Sequence, residues 1–274
     1  MPIVKYPDYR SYERLRIQTN DTMMGLLVGS KLAAVALEQT ASREVTLSRM
    51  FPSVDHIRRF DHRVDTARDV LENAESLLGA MAVPYVLGLQ EDLFVGMLNL
   101  LDQQPTITVQ DLAGTKTANM HTRFENATST TFEGDDVELF SLVRIMRNMQ
   151  IHNGGKASEW LESTAAGLSG KAKDKWQDIA GVPAPSYAQG DEVSLSLPEL
   201  IVILAVSKRL ADKANFALQN TLSRPFWLQM LKDDWVASEP KKGNAEQQLK
   251  KLKGYARMFY EPLKFSEAEI ESIC

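Results

Sequence analysis

The sequence of 274 residues has almost no cysteine, since its single thiol belongs to the last residue, Cys274. One cysteine cannot form a disulfide within the chain, so the sequence fits a reducing compartment or is indifferent to redox conditions. A run of about 18 apolar residues, which a membrane span requires, is also missing, because the longest run, 77–89, contains Pro84 and two glycines. The first six residues lack the apolar segment of a secretion signal. We therefore expect a cytoplasmic protein with no membrane partner.

An excess of positive charge is missing as well. The formal net charge of −5 gives no overall argument for nucleic-acid binding, although it leaves room for a local basic patch. Hydrophobic residues make up 44% of the chain and charged residues 24%, which is typical of a globular protein and excludes disorder or a collagen-like repeat. Composition therefore indicates a globular chain and says nothing about its chemistry.

Helical periodicity dominates the sequence, most clearly from Pro52 to about Val83. Two rows of apolar residues repeat every seven positions and form one stripe: Ile57, Val64, Leu71, Leu78, Phe60, Ala67, Ala74 and Met81. Charged residues of both signs lie off this stripe, which favours a long bundle helix with a solvated face. Pro84 is expected to end this helix, and residues 85–103 to form a second helix that returns along the first.

The same signals predict further helices over the remainder of the chain. They cover residues 21–39, 137–152, 156–179 with breaks near Gly167 and Gly170, 198–222, a short piece after Pro225, and 245–260. Residues 114–134 are polar and predict a long loop or a short hairpin, and residues 183–197 predict a short strand. The predicted fold is all-α, an antiparallel helix bundle of residues 1–223 with a C-terminal helical extension of residues 224–274 packed on it.

Histidine is scarce, and three of the four histidines have little context for catalysis. His56 and His62 are six residues apart on the predicted long helix, so they point about 120° away from each other, and neither has a metal ligand four residues on. His121 falls in the predicted polar loop. With one cysteine and no histidine cluster, we expect no structural zinc site, no other metal and no cofactor.

The fourth histidine ends a more specific pattern. His152 follows Arg147 and Asn148, with three residues between Asn148 and His152, and the glycine pair 154–155 then stops the predicted helix. Arg49 and His56 fit a looser version of this spacing. That second pair has Met50 after the arginine and Pro52 in the middle, so it is interpreted as a chance match.

The pattern that ends at His152 resembles the signature of the HEPN superfamily, an arginine, a polar residue and then a histidine after four to six intervening residues. Many members also carry a Gly-Asp-x-hydrophobic-x-Leu-Ser segment before the last bundle helix, and residues 190–196 resemble it. The resemblance covers about residues 136–222 by motif and the upstream helices only by architecture. It implies a compact helical bundle, often a metal-independent ribonuclease of a toxin or phage-defence system, which dimerises to form one composite groove.

The resemblance also implies roles for the motif residues. His152 would move protons, because imidazole titrates nearest neutral pH. Arg147 would neutralise charge on the phosphate, and Asn148 would orient the phosphate or His152. Apart from the resemblance, Arg144 and Lys156 are basic residues near the motif that could add RNA contacts. On one ideal helix Arg147 and His152 point about 140° apart, so they converge only if the helix ends near His152 and the imidazole folds back.

Two other interpretations of the motif stay open. A catalytically silent HEPN-like domain would bind RNA, a nucleotide or a protein partner without cutting it. An unrelated helical scaffold would use the arginine in a surface salt bridge and the histidine to cap helix carbonyls. The resemblance favours an endoribonuclease that acts on single-stranded RNA or a tRNA loop, a role in which an antitoxin or defence-system partner would fit.

A second basic stretch, residues 241–264, interleaves lysines with the aromatic residues Tyr255, Phe259 and Tyr260. Such a stretch suits contacts to a phosphate backbone and to stacked bases. An amphipathic helix whose aromatic side chains pack on the bundle explains the same pattern and is the favoured interpretation.

Overall fold

The computed structural model describes residues 2–39, 44–238 and 243–274. The structure is 72% helix, and the predicted all-α fold is confirmed. The helices of the described residues are α1 (Pro7–Glu38), α2 (Leu47–Met50), α3 (Val64–Glu72), α4 (Ala74–Asp102), α5 (Met120–Thr128), α6 (Gly134–His152), α7 (Glu159–Ala166), α8 (Gly170–Ala180), α9 (Leu197–Thr221), α10 (Arg224–Ser238), α11 (Ala245–Phe259) and α12 (Glu267–Ser272).

One large hydrophobic core holds these helices together. Its centre lies where α4 packs against α9, with α1, α6 and α8 around them. Fully buried side chains such as Phe94 of α4 and Ile203 of α9 fill this centre. Trp227, Leu252 and Tyr260 of the C-terminal helices belong to the same core, so residues 224–274 pack on the bundle. A second, small core under the far end of α1 joins that helix to α3.

Helix α4 is the one helix of the described residues that is long and apolar enough to cross a membrane. More than half of its most apolar window, 56%, is buried inside the fold. Burial on that scale is the pattern of a central core helix, which is the place that α4 occupies between α1 and α9.

The prediction of one long helix over residues 52–83 is wrong. Residues 51–63 form turns and a single 3-10 turn at 57–60, α3 follows, and Asn73 separates α3 from α4. Backbone hydrogen bonds from Leu47 N–H to the His62 carbonyl (3.0 Å) and from Val64 N–H to the Val45 carbonyl (3.0 Å) close this segment as a loop. Those bonds, between residues far apart in sequence, compete with a helix whose apolar stripe is the only local signal for it.

The predicted break at Pro84 is also wrong. Pro84 lies inside α4, and residues 85–103, predicted as a separate returning helix, continue α4 to Asp102. A proline inside a helix removes one backbone hydrogen bond and costs about 3 kcal/mol. Burial of Val83, Val86 and Leu87 on either side of it offsets that cost, since all three side chains are at most 1% exposed.

Residues 114–134 contain a helix rather than the predicted loop or hairpin. Helix α5 buries Met120, His121 and Phe124 against α4 and α6, and polar residues cover its outer side. The prediction failed because the segment is polar overall and its helix spans only nine residues, too few to give a clear apolar periodicity.

The helices that flank the motif agree with the sequence prediction. Helix α6 ends at His152, the breaks near Gly167 and Gly170 separate α7 from α8, and α9 begins with a capping box formed by Ser196 and Glu199. Helix α6 begins at Gly134, three residues before the predicted start at residue 137; its N-cap residue is Glu133, and Asp135 and Asp136 lie in its first turn. Acidic side chains in that turn still stabilise the helix through its dipole.

Buried Asp136 fixes the position of α6. Its carboxylate accepts hydrogen bonds from Lys175 of α8 (3.0 Å) and from Arg209 of α9 (3.0 Å). These ion pairs tie the start of α6 to two neighbouring helices, and the core holds its middle. The C-terminal end of α6 is therefore presented on a rigid support.

Candidate functional site

The last three turns of α6 carry two of the three motif residues on one side of the helix. Arg144, Arg147, Asn148 and Ile151 lie within about 100° of one another around the helix axis. The two arginines and Asn148 are half-buried, and Ile151 is exposed. This part of the surface thus combines two guanidinium groups, a carboxamide and an exposed apolar side chain.

Asn148 contacts Arg147. Its Oδ1 accepts a hydrogen bond from Arg147 Nη1 at 3.2 Å, which fixes the direction of the guanidinium plane. The Nε of Arg147 is buried and has no hydrogen-bond partner in the described part of the chain. Within one chain, Asn148 therefore positions the arginine, and its role in orienting the phosphate or His152 stays a prediction.

Arg144 lies between Arg147 and an aromatic side chain of α7. Its guanidinium carbon is 5.5 Å from the ring centroid of Trp160, a cation–π contact. Burial and, second, the like charge of Arg147 lower the pKa of Arg144. Neither arginine forms an ion pair with a carboxylate of the described residues. Two uncompensated positive charges side by side favour the binding of an anion.

His152 is the last residue of α6, and its side chain is exposed. Its ring makes no hydrogen bond or ion pair with residues 2–39, 44–238 or 243–274. Because α6 stays helical through His152, the imidazole and Arg147 point in different directions, and one chain does not bring them together. Four surface cavities of about 410–620 Å³ are lined by residues outside α6, so the motif residues lie in none of these four cavities.

The turn after His152 is pinned to a distant segment. Gly154 and Gly155 both have positive φ (61° and 74°), the conformation that a glycine pair adopts most easily. Val193 N–H then donates to the Gly155 carbonyl, and the backbones of Ala157 and Gly190 are also paired, each bond being 2.8 Å long. The Gly-Asp segment of the sequence resemblance therefore lies directly against the motif's glycine turn.

Residues 183–196 form no helix, and their only sheet-like pairing is an isolated bridge between Lys156 and Glu192, so the predicted strand reduces to one pairing. The same two residues form a side-chain ion pair at 3.2 Å. Lys156 is half exposed and already has an acidic partner, so it is less available to bind an anion than Arg144.

His121, predicted to lie in a polar loop, is buried in an aromatic cage. Its ring meets Phe94, Phe132 and Phe140 edge-on at centroid distances of 4.8, 5.4 and 4.7 Å. Burial and, second, the positive charge of Arg144 lower the pKa of His121 to about 3. Its Nε2 is buried without a hydrogen-bond partner in the described part of the chain. His121 is therefore a neutral packing residue behind the motif.

Replacement of His121 by leucine should remove a pH dependence of stability. Between the unfolded pKa of about 6.5 and the folded pKa of about 3, the unfolded chain binds the extra proton, so stability rises with pH by up to about 1.4 kcal/mol per unit. This contribution is complete above about pH 6.5 and is lost as the pH falls toward 3. Urea unfolding at pH 7.5 and at pH 4.5 measures how far the free energy of unfolding falls between the two pH values. That fall should be about 2–3 kcal/mol smaller in His121→Leu than in the wild type.

An equal loss of stability between the two pH values in the wild type and in His121→Leu would show that His121 is not held neutral by its cage.

The remaining sequence candidates lie away from the motif. Arg49 belongs to α2 and His56 to the following turn, so the second arginine–histidine pair does not share a helix. His62 is exposed in the same loop, not on a long helix. Among the described residues, no three histidine, cysteine, aspartate or glutamate side chains are grouped as a metal ion would require.

The aromatic residues of the second basic stretch pack rather than project. Tyr260 is buried, the Phe259 ring lies 4.4 Å from the guanidinium carbon of Arg10, and the Tyr255 hydroxyl is hydrogen-bonded to Ser238 at 2.9 Å. Lys241 and Lys242 lie outside the described residues. The aromatic side chains thus behave as the packing interpretation expects.

Trp160 is the functional candidate that the sequence reasoning missed. It is one of four tryptophans, it has no motif spacing of its own, and only its contact with Arg144 associates it with the site. A tryptophan on a short helix just beyond the motif's glycine turn is the one signal that the sequence offered.

No family model, curated protein or solved structure is significantly similar to this chain.

Proposed function

We propose that this chain is a metal-independent endoribonuclease of the HEPN type that uses Arg147 and His152. The observation that carries the proposal is the end of α6, where two unneutralised guanidinium groups and a free imidazole lie within three turns of helix. A phosphate group would neutralise the arginines, and the imidazole is accessible to a substrate. The resemblance to the HEPN signature supplies the reaction class.

The proposed reaction needs two proton transfers and one charge-stabilising group. The ribose 2′-hydroxyl loses a proton, its oxygen attacks the neighbouring phosphorus, and the bond to the 5′ oxygen breaks as that oxygen gains a proton. The products are a 2′,3′-cyclic phosphate and a 5′-hydroxyl. His152 moves one of the protons. Arg147, held by Asn148 and assisted by Arg144, stabilises the charge that grows on the phosphoryl oxygens.

A homodimer is part of the proposal, because one chain leaves Arg147 and His152 apart. In a composite groove, the His152 of a second copy would approach Arg147 and perform the other proton transfer. Large exposed apolar side chains support self-association, since monomers seldom leave many of them open to water. On α1 and α4 these are Ile17, Leu26, Val28, Leu32, Val35, Leu77, Met81 and Tyr85.

The proposed setting is the cytoplasm, as a toxin or phage-defence effector restrained by an antitoxin or a defence-system partner. Production of the wild-type chain in a bacterial host should then stop growth, and His152→Ala should restore it. The exposed His62 offers a matched control, because His62→Ala removes a histidine of similar exposure away from the motif. That protein should stop growth as the wild type does. Equal toxicity of His152→Ala at the same protein level would contradict the assignment.

A silent domain that binds RNA, a nucleotide or a protein is the second candidate. The separation of Arg147 from His152 within one chain favours it, because binding needs only the arginines. Such a domain predicts unimpaired growth with all three proteins. It also predicts that removal of Arg147, but not of His152, weakens the binding of ligand.

A further inference from the structure

Trp160 is placed unlike most large aromatic side chains of this fold. It is 50% exposed, whereas Trp176 and Trp227 are 0% and 1% exposed and Trp235 is half-buried against Tyr255. Trp160 follows the N-cap Ser158 by two residues, in the first turn of α7, on the side that faces α6 and solvent. A half-exposed indole ring therefore lies next to Arg144, near the C-terminal end of the motif helix α6.

The indole ring contacts the motif helix α6 through Arg144. The guanidinium carbon of Arg144 lies 5.5 Å from the ring centroid, and Arg144 is kept near by its half-buried position on α6. The indole N–H makes no hydrogen bond to the described residues. Arg144 thus fixes one side of the ring, and the exposed remainder is free for a planar ligand.

Three neighbouring features have the chemistry of a nucleotide contact. Arg144 and Arg147 offer charge for a phosphate, Trp160 offers an aromatic surface for a base, and Ile151 adds an exposed apolar side chain one turn beyond Arg147. Aromatic side chains next to positive charge are the usual means by which proteins hold unpaired nucleotides. Bases of a duplex are already stacked and paired, so they are not free for such a contact.

We propose that Trp160 stacks on an unpaired base of RNA whose phosphate is held by Arg144 and Arg147, so that the site selects single-stranded substrate. The inference rests on the proposed function and adds to it a recognition residue, which gives a physical reason for the single-stranded substrate that the resemblance implies. Trp160 takes no part in the chemistry and acts by holding the nucleotide next to the phosphate that Arg147 contacts.

The test measures RNA binding by full-length protein that carries His152→Ala, so that the RNA stays intact. The probes are a fluorescein-labelled 12-nucleotide oligouridine and a labelled RNA duplex of equal length. Adding Trp160→Ala or Trp160→Leu should weaken binding of the single strand about 5- to 150-fold, because one base–aromatic stack is lost. Adding Trp160→Phe should change it less than about threefold, because phenylalanine keeps an aromatic ring. Duplex binding should be weaker than single-strand binding and insensitive to all three changes.

Intrinsic fluorescence gives a second readout. Oligouridine should quench tryptophan emission of the parent protein and of a Trp235→Phe control, and the quenching should disappear with Trp160→Phe. Thermal melting and molar mass in solution are measured for every variant. A fall in molar mass with Trp160→Ala would instead make Trp160 a contact between two copies and overturn the inference.

The remaining outcomes separate the two proposals. If the wild type cuts RNA while Trp160→Ala and its parent bind the single strand equally, the stacking role is wrong and the ribonuclease proposal stands. If leucine at position 160 binds as phenylalanine does, the contact is apolar packing and the stacking role is again wrong. If no protein of the series binds RNA and the wild type does not cut it, both proposals fall.

Discussion

Replacement of His152 by alanine is expected to lower the rate of RNA cleavage by about 10²–10⁴-fold, the usual contribution of a general acid or base. The melting temperature should stay within about 1 °C of that of the wild type, because the exposed imidazole makes no hydrogen bond to the described residues. Single-turnover cleavage of a labelled oligonucleotide measures the rate, and a melting curve measures stability. The combination of a large kinetic loss with unchanged stability is what a structural role would not produce.

Replacement of Arg147 should likewise lower the rate of RNA cleavage and leave the stability of the fold almost unchanged. Arg147→Ala removes the charge that is proposed to stabilise the phosphate and should lower the rate by about 10²–10³-fold. Arg147→Lys should recover only part of this loss, because an ammonium group lacks the planar fork. The stability of Arg147→Ala should not fall much, since its removal relieves the like-charge repulsion that, second to burial, lowers the pKa of Arg144.

Matched controls come from the second arginine–histidine region. Arg49 and His62 are exposed and lie on α2 and in the loop after it. Arg49→Ala and His62→Ala should cleave at the wild-type rate. A loss of cleavage in these controls, or full activity in His152→Ala, would contradict the assignment of RNA cleavage to the motif residues.

The largest expected effect on stability belongs to Asp234, whose replacement by alanine should cost about 3–5 kcal/mol and lower the melting temperature by about 10 °C. Asp234 is 5% exposed, and Arg10 donates to both of its carboxylate oxygens, at 2.7 and 2.9 Å. The Tyr260 hydroxyl donates to it at 2.8 Å. Burial alone would raise the pKa of Asp234, but the hydrogen bonds from Arg10 and Tyr260 outweigh it and lower that pKa.

The reason for the large effect is the unpaired charge that the substitution leaves behind. Without Asp234, Arg10 keeps a largely covered guanidinium group with no carboxylate partner, and the contact of α10 and α11 with α1 weakens. The exposed pair of Lys253 and Glu271 (3.1 Å) provides the control, and Glu271→Ala should cost less than about 0.5 kcal/mol. Chemical denaturation measures both values. Equal effects of the two substitutions would show that the Arg10–Asp234 pair does not hold the C-terminal helices.

The parts of the fold that the sequence predicts are those with strong local signals. Helix α6 with its glycine stop, the breaks around Gly167 and Gly170, and α9 with its Ser196–Glu199 capping box all begin or end at residues with one preferred backbone role. The segment 51–63 has an apolar helical stripe, yet hydrogen bonds between residues 45–47 and 62–64 fold it as a loop. Pairing between such distant residues does not appear in a local pattern.

The site was predictable in its residue types but not in its contacts. The spacing of Arg147, Asn148 and His152 is a property of the sequence, whereas the bond from Arg147 to Asn148 depends on side-chain rotamers. The place of Trp160 beside Arg144 depends on how α7 packs against α6, and the burial of His121 depends on rings from α4 and α6. Both are tertiary effects, which no spacing rule reports.

The most direct test of the ribonuclease account is the chemistry of the RNA ends after incubation of purified protein with total RNA in excess EDTA. We predict 2′,3′-cyclic phosphate and 5′-hydroxyl ends with the wild type, and intact RNA with Arg147→Ala and His152→Ala of equal thermal stability. RNA left intact by the wild type would favour the silent binding domain. Cleavage that EDTA abolishes, or that all three proteins perform equally, would contradict the account.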